Sequence, residues 1–179
     1  MLNTSIQTYS LLMGHLLPPS NTHPSPPDVL AVSPDGVVLL SASPLPPTIL
    51  IQDRRWAGIA AVHFKPTDTS SAATCAAFQE HNDTAPSLYT KIVLGFRDGT
   101  LAMYKIYISS LTQSNQRPGS LPQLLPSRVG VMSKLHKAAM GGVTAAAFVP
   151  GYSSRVVSIG QDGRCRLVDF EGNGQKLRT

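Results

Sequence analysis

The sequence predicts an all-β fold assembled from short antiparallel hairpins. Three observations carry that prediction. Asp-Gly pairs at 35–36, 98–99 and 162–163 each stand between two runs rich in apolar and β-branched residues. The 179 residues include 14 glycines and 15 prolines, which implies frequent turns and short elements. No segment carries the periodicity of an amphipathic helix; residues 133–139 could form one turn and no more.

The runs follow in order. Residues 29–34 (VLAVSP) enter the first Asp-Gly pair, 37–43 (VVLLSAS) leave it, and a proline-rich break at 44–47 precedes 48–53 (TILIQD). Residues 91–96 (KIVLGF) and 100–108 (TLAMYKIYI) flank the second pair, and 155–160 (RVVSIG) and 164–170 (RCRLVDF) flank the third. An Asp-Gly pair between such runs signals a tight hairpin, whose two central residues need φ > 0; Asp tolerates this and Gly accepts it freely. Further strands are expected at 57–64, 73–79, 129–135 and 142–149. Their small apolar residues suit strands buried on both faces. Residues 17–27, with five prolines, and the polar stretches 80–87 and 109–127 read as loops, and 5–12 as a stray outer strand.

Composition narrows the class. Hydrophobic residues make up 42%, enough for a core, and charged residues 14%, against a usual value of about 25%. Residues 1–100 carry 5 basic and 7 acidic side chains; residues 101–179 carry 10 basic and 3 acidic, a net +7. No run of five or six like charges forms a basic tail. Cys75 and Cys165 are ninety positions apart, outside any C-x-x-C pair, in apolar segments where buried free thiols are common. That usage suits a reducing, intracellular compartment, cytoplasm or nucleus. No stretch approaches 18 uninterrupted apolar residues, so no membrane partner is expected.

Superimposing the hairpins reveals a repeat. KIVLGFRDGTLAMYK and RVVSIGQDGRCRLVD share one frame, with the pairs Tyr104-Lys105 and Val168-Asp169 six residues after the turn Asp; VVLLSASPLPPTILIQD follows it with Gln52-Asp53, and 45–47 replaces the Asp-Gly turn. SPDG at 33–36, Gly14-His15 and Leu135-His136 complete the pattern. From about His15 to Phe170 the chain resembles the WD-repeat family. The resemblance implies β-propeller blades of four antiparallel strands, about three of them at 29–66, 72–135 and 142–179, after a partial outer strand and Pro-rich loop at 1–28 and with an insertion at 109–127. A ring takes about 4–8 blades, so three form an incomplete or open propeller. The spacings Asp53–Lys105 (52) and Lys105–Asp169 (64) exceed the usual repeat of about 40–45. The family's hydrogen-bonded tetrad maps onto His136, Ser158 and Asp162, with Val168 in the Trp place; the second repeat offers Leu94, Asp98 and Tyr104, and the first Ala42, Pro46 and Gln52.

Little in the chain points to chemistry. His136, Ser158 and Asp162 also spell a nucleophile triad, but nothing resembles a nucleophile elbow around Ser158. There is no H-E-x-x-H, no phosphate-binding glycine motif and no clustered metal-ligand spacing, so no catalytic residue, metal or cofactor is assigned. His63 reads as a core or edge histidine, His23 and His81 as solvated loop residues. Arg54, Arg55 and Trp56 form a cluster of interface-type residues, and Arg164 and Arg166, two apart, are expected on one side of their strand. These five are the candidate partner contacts. The expected function is a non-catalytic scaffold or adaptor that binds other proteins, a piece of a larger protein such as a ubiquitin-ligase substrate receptor or complex subunit. The alternative is a nucleic-acid or ribonucleoprotein binder using the basic C-terminal half. Exposed blade edges predict self-association of the isolated chain.

Overall fold

The computed structural model describes residues 4–16, 20–55, 61–80, 88–112, 123–124, 127–171 and 175–178. The chain begins with two small ribbons, in which β1 (Ser5–Ile6) pairs with β4 (Ser20–Thr22) and β2 (Tyr9–Ser10) pairs with β3 (His15–Leu16). The expected single strand over 5–12 is therefore two short strands, and Ser20–Thr22 lies within the segment expected to be only loop.

Three antiparallel sheets follow. The first contains β5 (Val29–Val32), β6 (Val38–Pro44), β7 (Pro47–Asp53) and β8 (Val62–Phe64) in sequential order. The second contains β9 (Ala73–Phe78), β10 (Tyr89–Phe96) and β11 (Leu101–Tyr107). After β11 comes a five-residue helix, α1 (Ile108–Thr112), then β12 (Gln123–Leu124), which adds in parallel to β8 at the edge of the first sheet. The second sheet is completed by β13 (Ser127–Met132). A 3-10 turn at Ala138–Met140 leads into the third sheet: β14 (Val143–Phe148), β15 (Arg155–Gly160), β16 (Cys165–Asp169) and β17 (Gln175–Arg178). The architecture is all-β, with propeller-like blades of four antiparallel strands and, among the described residues, no closed barrel. Leu111 of α1 and Leu124 of β12 are buried in the core beside the first sheet.

Alternation explains how the sheets stack. In β10 and β11, Ile92, Leu94, Phe96, Ala102 and Tyr104 pack toward the first sheet, whereas Val93, Leu101 and Met103 pack toward the third. Side chains of a strand point alternately to its two faces, so a strand buried on both reads as a continuous apolar run. KIVLGF and TLAMYK have that pattern because the second sheet lies between the other two.

The Asp-Gly turns differ from the expected geometry. Only the glycines have positive φ: Gly36 at 73°, Gly99 at 84° and Gly163 at 72°. Each glycine N–H donates to the carbonyl three residues back, on Ser33, Phe96 and Gly160. Each Asp instead accepts the N–H two residues on, from Val37 (3.0 Å), Thr100 (2.9 Å) and Arg164 (3.2 Å). Asp contributes a carboxylate that mimics a turn, and only Gly contributes the left-handed conformation.

Candidate functional site

A buried polar cluster lies where the second sheet meets the third. After β13 the chain delivers His136 into the contact, and its N–H donates to Gly99 O (3.2 Å) in the turn of the second sheet. The imidazole bridges two elements of the third sheet. Its Nε2 lies 2.9 Å from Ser158 Oγ on β15 and its Nδ1 lies 3.0 Å from Asp162 Oδ1 in the turn. The Lys137 and Arg164 amides also donate to the Asp162 carboxylate. Hydrogen bonding from His136, then from these amides, holds that carboxyl at about 2, below the ordinary range. A Cβ on Gly160 would run into the His136 ring, so glycine there makes room for it.

The order Ser–His–Asp matches a nucleophile triad in its contacts. Ser158, however, is 0% exposed and His136 2%. A serine nucleophile has to meet a carbonyl carbon, and Ser158 Oγ offers no surface for one in this conformation. The same bonds join the loop after one sheet to a strand and a turn of the next.

The other two sheets solve the same packing problem with different residues. In the second, Asp98 accepts from Thr69 Oγ1 (2.6 Å), and Ser71 Oγ lies 3.1 Å from the Asp98 amide. Tyr104, in the place of Val168, donates to Asp68 (3.1 Å), which also accepts from Arg128 (2.5 Å). Burial, then the Asp68 charge, pushes the Tyr104 phenol up, and its ring meets Phe64 of the first sheet edge-on at 5.2 Å. In the first sheet the histidine is His23, not His15. His15 is exposed in β3. His23 is buried, with Nε2 2.8 Å from Ser41 Oγ and Nδ1 3.1 Å from Ser43 Oγ. The solvated-loop expectation for His23 is thus overturned, and the strand position is Ser41 rather than Ala42. The hairpin 44–47 closes with Pro44 opposite Pro47, which changes the register relative to the longer Asp-Gly turns. No G-H dipeptide marks His23; two serines alternating on one face of β6 were its signal.

The arginines are distributed unevenly. Arg54 and Arg55 are exposed, but the Arg55 guanidinium is 2.6 Å from buried Asp53, so it is partly engaged within the chain. Trp56 and His81 lie outside the described residues. Arg164 is exposed and precedes β16. Arg166 is inside the strand, 8% exposed, with Nη2 4.0 Å from Asp162. The two arginines therefore do not share a surface. Cys165 is exposed rather than buried, whereas burial raises the Cys75 thiol to about 11. Among the described residues no group of three or more His, Cys, Asp or Glu is placed to hold a metal ion, and no helix is long and apolar enough to cross a membrane. No family model matches the chain, and no curated protein matches it.

Proposed function

We propose that the chain is a non-catalytic protein-interaction module of the WD-repeat type, working as a scaffold or adaptor. The supporting observation is the enclosure of His136, Ser158 and Asp162, whose polar atoms tie one sheet to the next. Such bonding makes a stiff frame, and binding residues sit on loops that a stiff frame holds. Exposed Arg54 and Arg164 are carried on such connections.

The test is capture from cell extract on the immobilised full chain, with and without nuclease. Proteins recovered in stoichiometric amounts after nuclease support the reading; recovery of nothing overturns it. A second reading, nucleic-acid binding, rests on the net +7 of residues 101–179. It predicts recovery that nuclease abolishes and an affinity that falls steeply with salt, as phosphate contacts release counterions.

A further inference from the structure

At one end of the stack, the Asp98 and Asp162 turns meet the chain that follows β13. The His136 amide donates to Gly99 O (3.2 Å), the Lys137 amide to Asp162 Oδ2 (3.3 Å) and the Gln161 amide to Gly142 O (3.3 Å). A Cβ on Gly142 would collide with the Arg97 carbonyl. These contacts gather the exposed residues Arg97, Lys134, Lys137 and Arg164 at that end. Among the described residues, no carboxylate lies within ion-pair distance of any of these side chains. The carboxylates of the two turns are already engaged. Asp98 accepts from Thr69 and the Thr100 amide, and Asp162 from His136 and the Lys137 and Arg164 amides. Arg166 adds a buried cation, with Nη2 4.0 Å from Asp162 and no hydrogen-bond partner for its Nε among the described residues.

Lys134 has φ 55° and, among the described residues, no other residue except glycine has a positive φ. Left-handed backbone costs a long side chain stability, and glycine would take the position with less strain. Strain of this kind collects where a side chain serves binding. The 3-10 turn beside it, Ala138–Met140, is exposed along its whole length, with Met140 at 48%. Its shape is set in advance: the Met140 and Gly142 amides donate to Lys137 O and the Gly141 amide to Ala138 O. A surface held in place before binding lowers the ordering cost of a partner.

We propose that this end of the stack binds an acidic protein segment, its carboxylates against Arg97, Lys134, Lys137 and Arg164 and an apolar side chain on the Ala138–Met140 turn. This rests on the protein-interaction reading and names the partner's chemistry. Two observations favour a protein over a nucleic acid. An apolar turn carrying methionine among the cations matches a segment with both carboxylates and an apolar side chain, and a phosphodiester backbone has no such side chain. The exposed tyrosines lie elsewhere: Tyr9 in the N-terminal ribbon, Tyr107 and Tyr152 at the far ends of their sheets. Among the described residues no exposed ring therefore stands with these cations to stack on a base.

The test is fluorescence anisotropy of a labelled peptide, Gly-Glu-Asp-Leu-Asp-Glu-Gly, titrated with the full chain at low salt. Saturable binding is expected. Lys134→Gly weakens it about threefold, the loss of one exposed ion pair, while its urea midpoint holds or rises because the backbone strain is relieved. Lys137→Gln and Arg164→Gln each weaken binding by about the same factor. Lys105→Gln, an equal charge loss toward the far end of β11, leaves it unchanged. The peptide with Ser in place of its Leu binds more weakly. Each variant is checked by circular dichroism for an unchanged fold. No saturable binding to the parent chain, equal losses from Lys105→Gln and Lys134→Gly, equal affinities of the Leu and Ser peptides, or tighter binding of an oligouridylate of the same charge would each overturn the proposal. If extract capture recovers proteins while the peptide fails, the scaffold reading stands and the assignment of this end falls.

Discussion

His23 and His136 each sit against a serine hydroxyl at the Nε2 atom, but their Nδ1 partners differ: Ser43 for His23, the Asp162 carboxylate for His136. A hydroxyl gives no charge to offset an imidazolium, and burial lowers the His23 pKa below 6.5. The unfolded chain then binds the proton more readily than the folded one. Stability from this site is present above about pH 6.5 and is lost as pH falls from there through the lower folded value. Melting temperatures between pH 7.5 and 5 should therefore decline in the parent chain and decline less in His23→Gln; equal slopes would remove His23 as the cause. Asp162 works in the acid range. Its folded value of about 2 lies below the unfolded value, so its contribution is present above about pH 4 and is lost as pH falls through about 2. Asp162→Asn should lower the urea midpoint at pH 7 and flatten the acid limb of stability against pH. An unchanged acid limb would show that other carboxylates set it.

At the scale of elements, the hairpins were legible and their geometry was not. Period-two and continuous apolar runs place β5–β7, β10–β11 and β15–β16 close to where they form, because sheet burial is written directly in those residues. The helix α1 and the short β12 were missed, since five and two residues are too few to show a period. His23 was missed because its neighbours are prolines and hydroxyls typical of a loop; only contact with Ser41 and Ser43 makes it a core residue. Arg166 was misread because its sheet face meets Asp162 rather than solvent. The turns yield an element-level prediction at Gly99. Its φ is 84°, and an added Cβ would collide with the His136 carbonyl. Gly99→Ala pays the left-handed penalty of roughly 1–2 kcal/mol and also displaces the segment that delivers His136. A loss of about 2 kcal/mol or more is expected from urea unfolding. Gly36→Ala, with φ 73° and open space around it, should cost only the conformational part. Equal losses at the two sites would show that the His136 approach adds nothing.

For the whole molecule, the stack is asymmetric at its two ends. The outward face of the first sheet is closed where His23 sits against Ser41 and Ser43, with Leu39 and Leu50 buried on the same face. The outward face of the third sheet is open: Ala145, Ala147 and Cys165 are exposed and Ile159 is 49% exposed. These residues pair across β14, β15 and β16, so they form one apolar patch rather than scattered contacts. Contiguous apolar surface drives association. Light scattering on the purified chain should therefore give a mass above 19.1 kDa, and Ile159→Lys should move it toward 19.1 kDa without changing the circular dichroism spectrum. A lysine there places a charge that a second sheet would have to desolvate, whereas a lone sheet leaves it in water. Leu12, fully exposed at the tip of the β2–β3 ribbon, supplies the control. If Leu12→Ser dissociates the assembly and Ile159→Lys does not, association runs through the ribbon and the open face of the third sheet is not the contact. If the parent chain is already a monomer at high concentration, neither surface associates.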